Sequence, residues 1–273
     1  MSVSKIKTLA IAALLLINAF FLTMIILDNA ADARIEHEAI ENVCAILRAN
    51  GIHVNLGDVD TNGSLWSVRT MRDDGSEALI AEMFLGETII IDQGVILLYE
   101  NEERGTAEFA RAGDFEITLN AGAITSSGDA LRTALGLLRD MGIETSAPVS
   151  VAGQGSEVIK AVSSFNGLEI FNCPIEFVFS GDSLEVAKGR YVTGMEIAED
   201  GKQISSASTA LLGFLAAVTR GEQDCTQIYS VQAGYHHTAI GPFGEGMLSP
   251  AWLLETDTGR YIVDDSTGEV RGG

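Results

Sequence analysis

Asp257, Thr258 and Gly259 spell the triplet on which aspartic proteases mount a catalytic carboxylate, and a second acidic pair, Asp264 and Asp265, follows it. That chemistry needs two carboxyl groups close enough to share one proton. The chain has no second Asp-Thr-Gly, and the Asp-Ser-Thr-Gly at 265–268 departs from the pattern. The triplet also lies between two strand-like runs, 251–255 and 260–264, where Asp and Gly are what a tight hairpin wants. The residues therefore read as turns, and an anchored aspartic-type hydrolase ranks last among the functions weighed.

His236 and His237 are the next candidates. Adjacent residues on a strand point to opposite faces, so the two cannot bind one metal without distortion, and no acid or cysteine stands at a helpful spacing. Gly241, Gly244 and Gly246 lack the Lys-Ser/Thr and the following helix of a phosphate loop. Cys44, Cys173 and Cys225 form no CxxC or Cys/His pair; their odd number favours buried free thiols, one disulfide being the alternative if the body lies outside the cytoplasm. No catalytic residue, metal or cofactor is assigned, and the chain is not expected to be an enzyme.

The elements that would position these residues begin with the N-terminus. Residues 8–27, TLAIAALLLINAFFLTMIIL, are uncharged and long enough to cross a bilayer as a helix, with Lys5 and Lys7 before them and Asp28 and Asp32 after. The positive-inside rule puts the first residues in the cytoplasm and the body outside. A cleaved signal peptide is the rival reading, because Ala31-Asp32-Ala33 fits a cleavage site, but the apolar run is longer than a signal peptide needs. Asn18 is the polar residue of the run. Either a partner helix satisfies its amide or it is simply tolerated. Thr8, Ala12, Ala19 and Thr23 share a narrow small-residue stripe along which a second helix could approach.

Residues 28–273 carry 15 Lys and Arg against 38 Asp and Glu, a net charge of −23, which repels nucleic acid and anionic membrane surfaces. Beyond the apolar run the periodicity alternates between helix and strands. Ile35, Ala39, Ile40, Val43, Ile46 and Leu47 share a helical face that ends at Gly51. LRANGI at 47–52 is echoed by LRDMGI at 138–143, each read as a helix stopping at Gly and giving way to extended chain. Strand-like runs fill 87–119, 157–190 and most of the chain after 225, and the apolar segment 206–221 reads as a buried helix too short to span a membrane. Ser127 is the expected cap of the helix before LRDMGI. The fold expected is α+β: an N-terminal transmembrane helix within 1–27, then two related helix-plus-antiparallel-sheet units at 34–121 and 125–273.

Two segments bear a resemblance. KIKTLAIAALLLINAFFL resembles the anchor of the regulatory protein family YycI, with its relative YycH. GYHHTAIGPFGEGMLSPAWLLETDTGRYIVDDSTGEV, with Pro250 and Trp252 on one strand, Tyr261 on the next and a Thr-Gly turn at Gly268, is similar to that family's closing hairpins. The middle of the chain matches only in length and element order. The resemblance implies a bitopic, non-enzymatic accessory of a cell-wall-controlling sensor histidine kinase in Gram-positive bacteria, assembled at the cell membrane with the kinase and a YycH-like protein. A cell-surface module binding peptides or cell-wall fragments is the alternative.

Overall fold

In a computed structural model of the chain the described residues are 18, 34–60, 65–146, 148–152, 156–198, 201, 203–241, 244–265 and 267–272. Residues 34–49 form helix α1. Then come β1 (Val68–Met71), α2 (Asp74–Leu85), β2 (Ile89–Asp92), β3 (Ile96–Asn101), β4 (Gly105–Ala110), β5 (Asp114–Leu119) and α3 (Ala130–Asp140). They are followed by β6 (Val149–Ala152), β7 (Ser156–Phe165), β8 (Leu168–Ser180), β9 (Ser183–Arg190), β10 (Glu196–Ile197) and α4 (Ala207–Thr219). The chain closes with β11 (Ile228–Ile240), β12 (Glu245–Thr256), β13 (Arg260–Asp264) and β14 (Val270–Gly272).

This overturns the expected α+β arrangement of a transmembrane helix and two related units. Strands take 46% of the described residues against 25% helix, and they join into one 14-stranded sheet. Among the described residues no helix is long and apolar enough to cross a membrane. Thr8, Ala12, Ala19 and Thr23 lie outside the described residues, while Asn18 is helical and exposed.

The reason is the free strand edges. Helices α2, α3 and α4 each precede a four-stranded antiparallel meander: β2 to β5, β6 to β9 and β11 to β14. A meander ends in unpaired backbone groups at both sides, and these are satisfied by joining edges. Strand β5 pairs antiparallel with β9, fusing the first two meanders, and β8 meets β11 in parallel at Ile170 and Tyr235. Strand β1 runs beside β12. Pairing thus crosses the 121–125 stretch repeatedly.

Two cores follow from this weave. In one, α2 and α3 cover the fused meanders with Phe84, Phe109, Ile117, Leu138, Phe177 and Phe179, all buried. The alternation on β5 is complete: Phe115, Ile117 and Leu119 face the helices while Asp114, Glu116 and Thr118 face water. In the other, α1 and α4 cover the C-terminal meander through Ile40, Leu47, Leu211, Phe214, Trp252 and Leu254. On α1 the buried stripe is Ile40, Val43, Cys44 and Leu47; Ile35 and Ile46, expected inside, are exposed. Spacings of three and four from Ile40 give a narrower face than the one anticipated, and Cys44 takes part in it.

The LR-x-x-G-I echo is a capping motif. Gly51 has φ 83°, Ile52 N–H donates to the Leu47 carbonyl at 3.0 Å, and Gly51 N–H donates to the Arg48 carbonyl at 3.0 Å. Gly142, Ile143, Leu138 and Arg139 repeat the arrangement at 2.9 and 3.0 Å, with φ 72° at the glycine. Leu and Ile are the apolar pair that accompanies this left-handed cap, so the match needs only helix-end physics. At the other end of α3 the cap is Asp129, which accepts from Arg132 N–H at 2.8 Å, and Ser127 sits at φ 51° in the preceding turn.

Candidate functional site

A group of buried polar side chains, Thr70, Glu77 and His237 among them, lies at the seam between the two cores, where the chain leaves β1 at residue 72 and returns through 191–195. The outgoing and returning segments are stitched together. Met71 N–H donates to the Thr193 carbonyl at 3.1 Å, the Thr193 hydroxyl to the Met71 carbonyl at 2.8 Å, and Tyr191 N–H to the Gly113 carbonyl at 2.7 Å. Arg72, at the end of β1, points into the seam and bonds Glu77 of α2 through both carboxylate oxygens at 2.7 and 2.6 Å. Their side chains are 10% and 4% exposed. The bonds to Glu77 hold the Arg72 guanidinium more firmly protonated than usual; burial pushes the Glu77 carboxyl up and Arg72 opposes it.

Where β8 and β11 diverge, the Asn172 side chain replaces the missing ladder. Its amide donates to the His237 carbonyl at 2.8 Å and its oxygen accepts from His237 N–H at 2.8 Å. The His237 ring turns inward, with Nε2 3.3 Å from the Thr70 hydroxyl and Nδ1 buried without a hydrogen-bond partner. Burial, then Arg190 and His236, lower its pKa from the usual 6.5 to about 4 against the pull of Asp114, so the ring is neutral at ordinary pH. His236 faces the other side of the sheet and its pKa is also lowered by burial. The two imidazoles therefore diverge as strand geometry requires.

Asp257 proves to be an anchor for a turn. It accepts from Thr226 N–H at 3.1 Å, from the Thr226 hydroxyl at 2.6 Å and from Gln227 N–H at 3.1 Å, tying the β12–β13 hairpin to the start of β11. Those bonds lower its pKa to about 2. Asp265 accepts from Ser205 N–H at 2.9 Å and from the Ser205 hydroxyl, and Asp264 caps the last turn through Thr267 N–H at 3.0 Å. Gly268 supplies the φ of 69° that this turn uses.

Pro250 falls between the part of β12 paired with β1 and the part paired with β13, where one flank of the strand has no partner. Trp252 is a core residue, 1% exposed, whose indole N–H donates to the Ser205 carbonyl at 3.2 Å. Tyr261 packs its ring 5.3 Å from Phe214 and meets the Thr258 hydroxyl at 3.1 Å. Pro250, Trp252, Tyr261 and Gly268 are all parts of the closing meander's architecture. Cys44, Cys173 and Cys225 are buried free thiols; burial pushes Cys173 up to about 12 and Cys225 to about 11.

Three hollows follow the seam. A void of about 20 Å³ touches Thr70, Arg72, Glu77, Tyr191 and His237, room for one water molecule. A 290 Å³ cleft lies between Ser163, Phe165 and the 191–195 connector, and a 520 Å³ groove between Met71, Gly194, Ile240 and Met247. Among the described residues no three His, Cys, Asp or Glu side chains converge as metal ligands. Sequence reasoning missed Arg72, Glu77 and Asn172. A buried ion pair five residues apart and an amide inside a strand were the available signals, but only the weave brings them to the seam.

No family model matches the chain, and no curated protein matches it. Among solved structures it is similar to an uncharacterized protein from Eubacterium rectale, with 10% identity over 78% of this chain and 90% of that one and a TM-score of 0.49. It is also similar to the YpeB C-terminal domain of Bacillus megaterium, with 13% identity over 75% of this chain and 98% of that one and a TM-score of 0.33. Neither likeness bears on activity, and neither protein is named as a YycI or YycH protein.

Proposed function

We propose that the chain is a non-enzymatic, extracytoplasmic regulator that works by protein contact at the cell membrane, its partners a sensor histidine kinase and a YycH-like protein. The observation that carries this reading is the use made of the titratable side chains. Asp257 and Asp265 hold turns, Glu77 is paired with Arg72 at the seam, and His237 is a neutral strand residue there. Carboxylates already saturated by structural donors are poorly placed to move protons for a substrate. The location rests on the sequence, through Lys5 and Lys7, the apolar run 8–27 and the acidic body. Within that run Asn18 and the stripe of Thr8, Ala12, Ala19 and Thr23 are the contact proposed for the partner.

The test is co-purification of the full chain from crosslinked host membranes. A sensor kinase is expected in the product, and Asn18→Leu should reduce its yield. Absence of any kinase, or an acid-optimum peptidase activity that Asp257→Asn abolishes, contradicts the reading.

A second reading, a module for peptides or cell-wall fragments, is favoured by the Met71, Ile240 and Met247 groove. Saturable thermal stabilisation of the full chain by a muropeptide, lost in Met247→Asp, would move the assignment there.

A further inference from the structure

Among the described residues strand β2 ends the sheet and pairs only with β3. All four of its residues are exposed, Ile89 by 69%, Ile90 by 57% and Ile91 by 39%, and Val95 in the adjoining turn by 67%. Exposed edges are normally blunted by Lys, Pro, a bulge or a covering segment. Among the described residues β2, which is short, has no Lys, Pro, bulge or covering segment, and its one charge is Asp92: its sequence is Ile-Ile-Ile-Asp and its register with β3 runs without a shift.

The phase of the ladder identifies the open groups. Gln93 N–H donates to the Ile96 carbonyl at 3.0 Å, so the Gln93/Ile96 pair is hydrogen-bonded. By alternation along the antiparallel ladder Ile91 and Ile89 also bond β3. Ile90 and Asp92 therefore turn their N–H and C=O outward. The Asn101 amide, 2.8 Å from the Glu87 carbonyl, fits this phase by closing the ladder at its start.

Charge says what kind of strand would pair there. From Asp73 to Glu103 the chain carries nine carboxylates and no Lys, Arg or His. Glu87, Asp92, Glu102 and Glu103 are exposed around the edge. Arg111 reaches the hairpin tip, where its Nε bonds the Gly94 carbonyl. A second copy of β2 would bring these carboxylates against their own kind. At the far end of the fused meanders, edge strand β6 also exposes Val149 and Val151, but Lys160 stands across from Val149 and Glu157 across from Ala152, so both signs of charge flank it.

We infer that β2 is a docking edge for an extended segment of another protein, apolar at alternate positions and flanked by Lys or Arg, which adds to the sheet as a further strand. Backbone bonds would come from Ile90 and Asp92, apolar contact from Ile89 and Ile91, and orientation from the acidic rim. This goes beyond the kinase reading and stands whether or not a kinase is the partner.

The test uses the full chain in non-ionic detergent and two labelled peptides, acetyl-Lys-Lys-Val-Thr-Val-Thr-Val-Lys-Lys-amide and its Glu-flanked counterpart, read by fluorescence anisotropy. Saturable binding is expected for the Lys-flanked peptide alone, weakening as salt rises. Ile90→Pro removes an outward N–H that the fold does not use, so melting should hold while affinity falls at least about tenfold, a loss of about 1.4 kcal/mol. Ile91→Lys should weaken binding in the same direction without touching the backbone. Equal affinity for both peptides, no saturable binding, or unchanged binding by a folded Ile90→Pro overturns the inference. So does wild-type dimerisation that Ile90→Pro abolishes, since it would make a second copy the occupant.

Discussion

Asp257 and His237 make opposite kinds of sense at the residue scale. Asp257 is held in its charged form by three donors, so its folded pKa lies below that of the unfolded chain. The stability it adds is complete above about pH 4, the unfolded carboxylate value, and is lost as pH falls through about 2. Asp257→Asn should therefore melt lower than wild type at pH 7, and the difference in melting temperature should close between pH 4 and pH 2. His237 is held neutral by burial: below its unfolded value of 6.5 the unfolded chain takes up a proton that the folded ring refuses until about pH 4. Stability tied to it is present above pH 6.5 and falls away down to pH 4, by an amount on the order of 3 kcal/mol. His237→Gln, followed by urea denaturation across that range, should show a flatter profile than wild type.

Strands and helix ends are the level at which the sequence was most readable. Apolar and β-branched runs punctuated by Gly or Asp turns mark β2 to β5, β7 to β9 and β11 to β14, and the Gly-Ile punctuation marks the ends of α1 and α3. Strands β6 and β10 were not foreseen; each has few residues and draws its identity from the neighbour it pairs with. Ser127 stands two residues before the true cap, Asp129, and side-chain type alone does not distinguish the two. The capping account makes a clear prediction. Gly142→Ala must hold a left-handed φ of 72° and should cost about 1–2 kcal/mol in chemical denaturation, with Gly51→Ala alike. Gly136→Ala, inside α3 with open space around it, should be neutral or stabilising by up to about 1 kcal/mol.

The weave of the whole molecule was hidden because its pairings, β1 with β12, β5 with β9 and β8 with β11, join residues far apart in sequence. Nothing in the periodicity of one strand specifies which remote edge it will meet. The seam that results between the two cores depends on Arg72 and Glu77 as a unit. Arg72→Met alone should cost about 3–5 kcal/mol by leaving Glu77 buried and unpaired, while Arg72→Met with Glu77→Leu should recover most of that loss; a double-mutant cycle by urea denaturation reads the difference. A sheet with an exposed apolar edge at β2 is suited to partner binding by strand addition, and that is the account's central claim. It is tested most directly by amide hydrogen exchange of the full chain with and without the Lys-flanked peptide. The account predicts that the amides of Ile90 and Asp92 exchange freely in the chain alone and become protected in the complex, with the Asp257 turn unaffected. Protection that appears at the Met71 and Met247 groove and leaves β2 exchanging as before would contradict it.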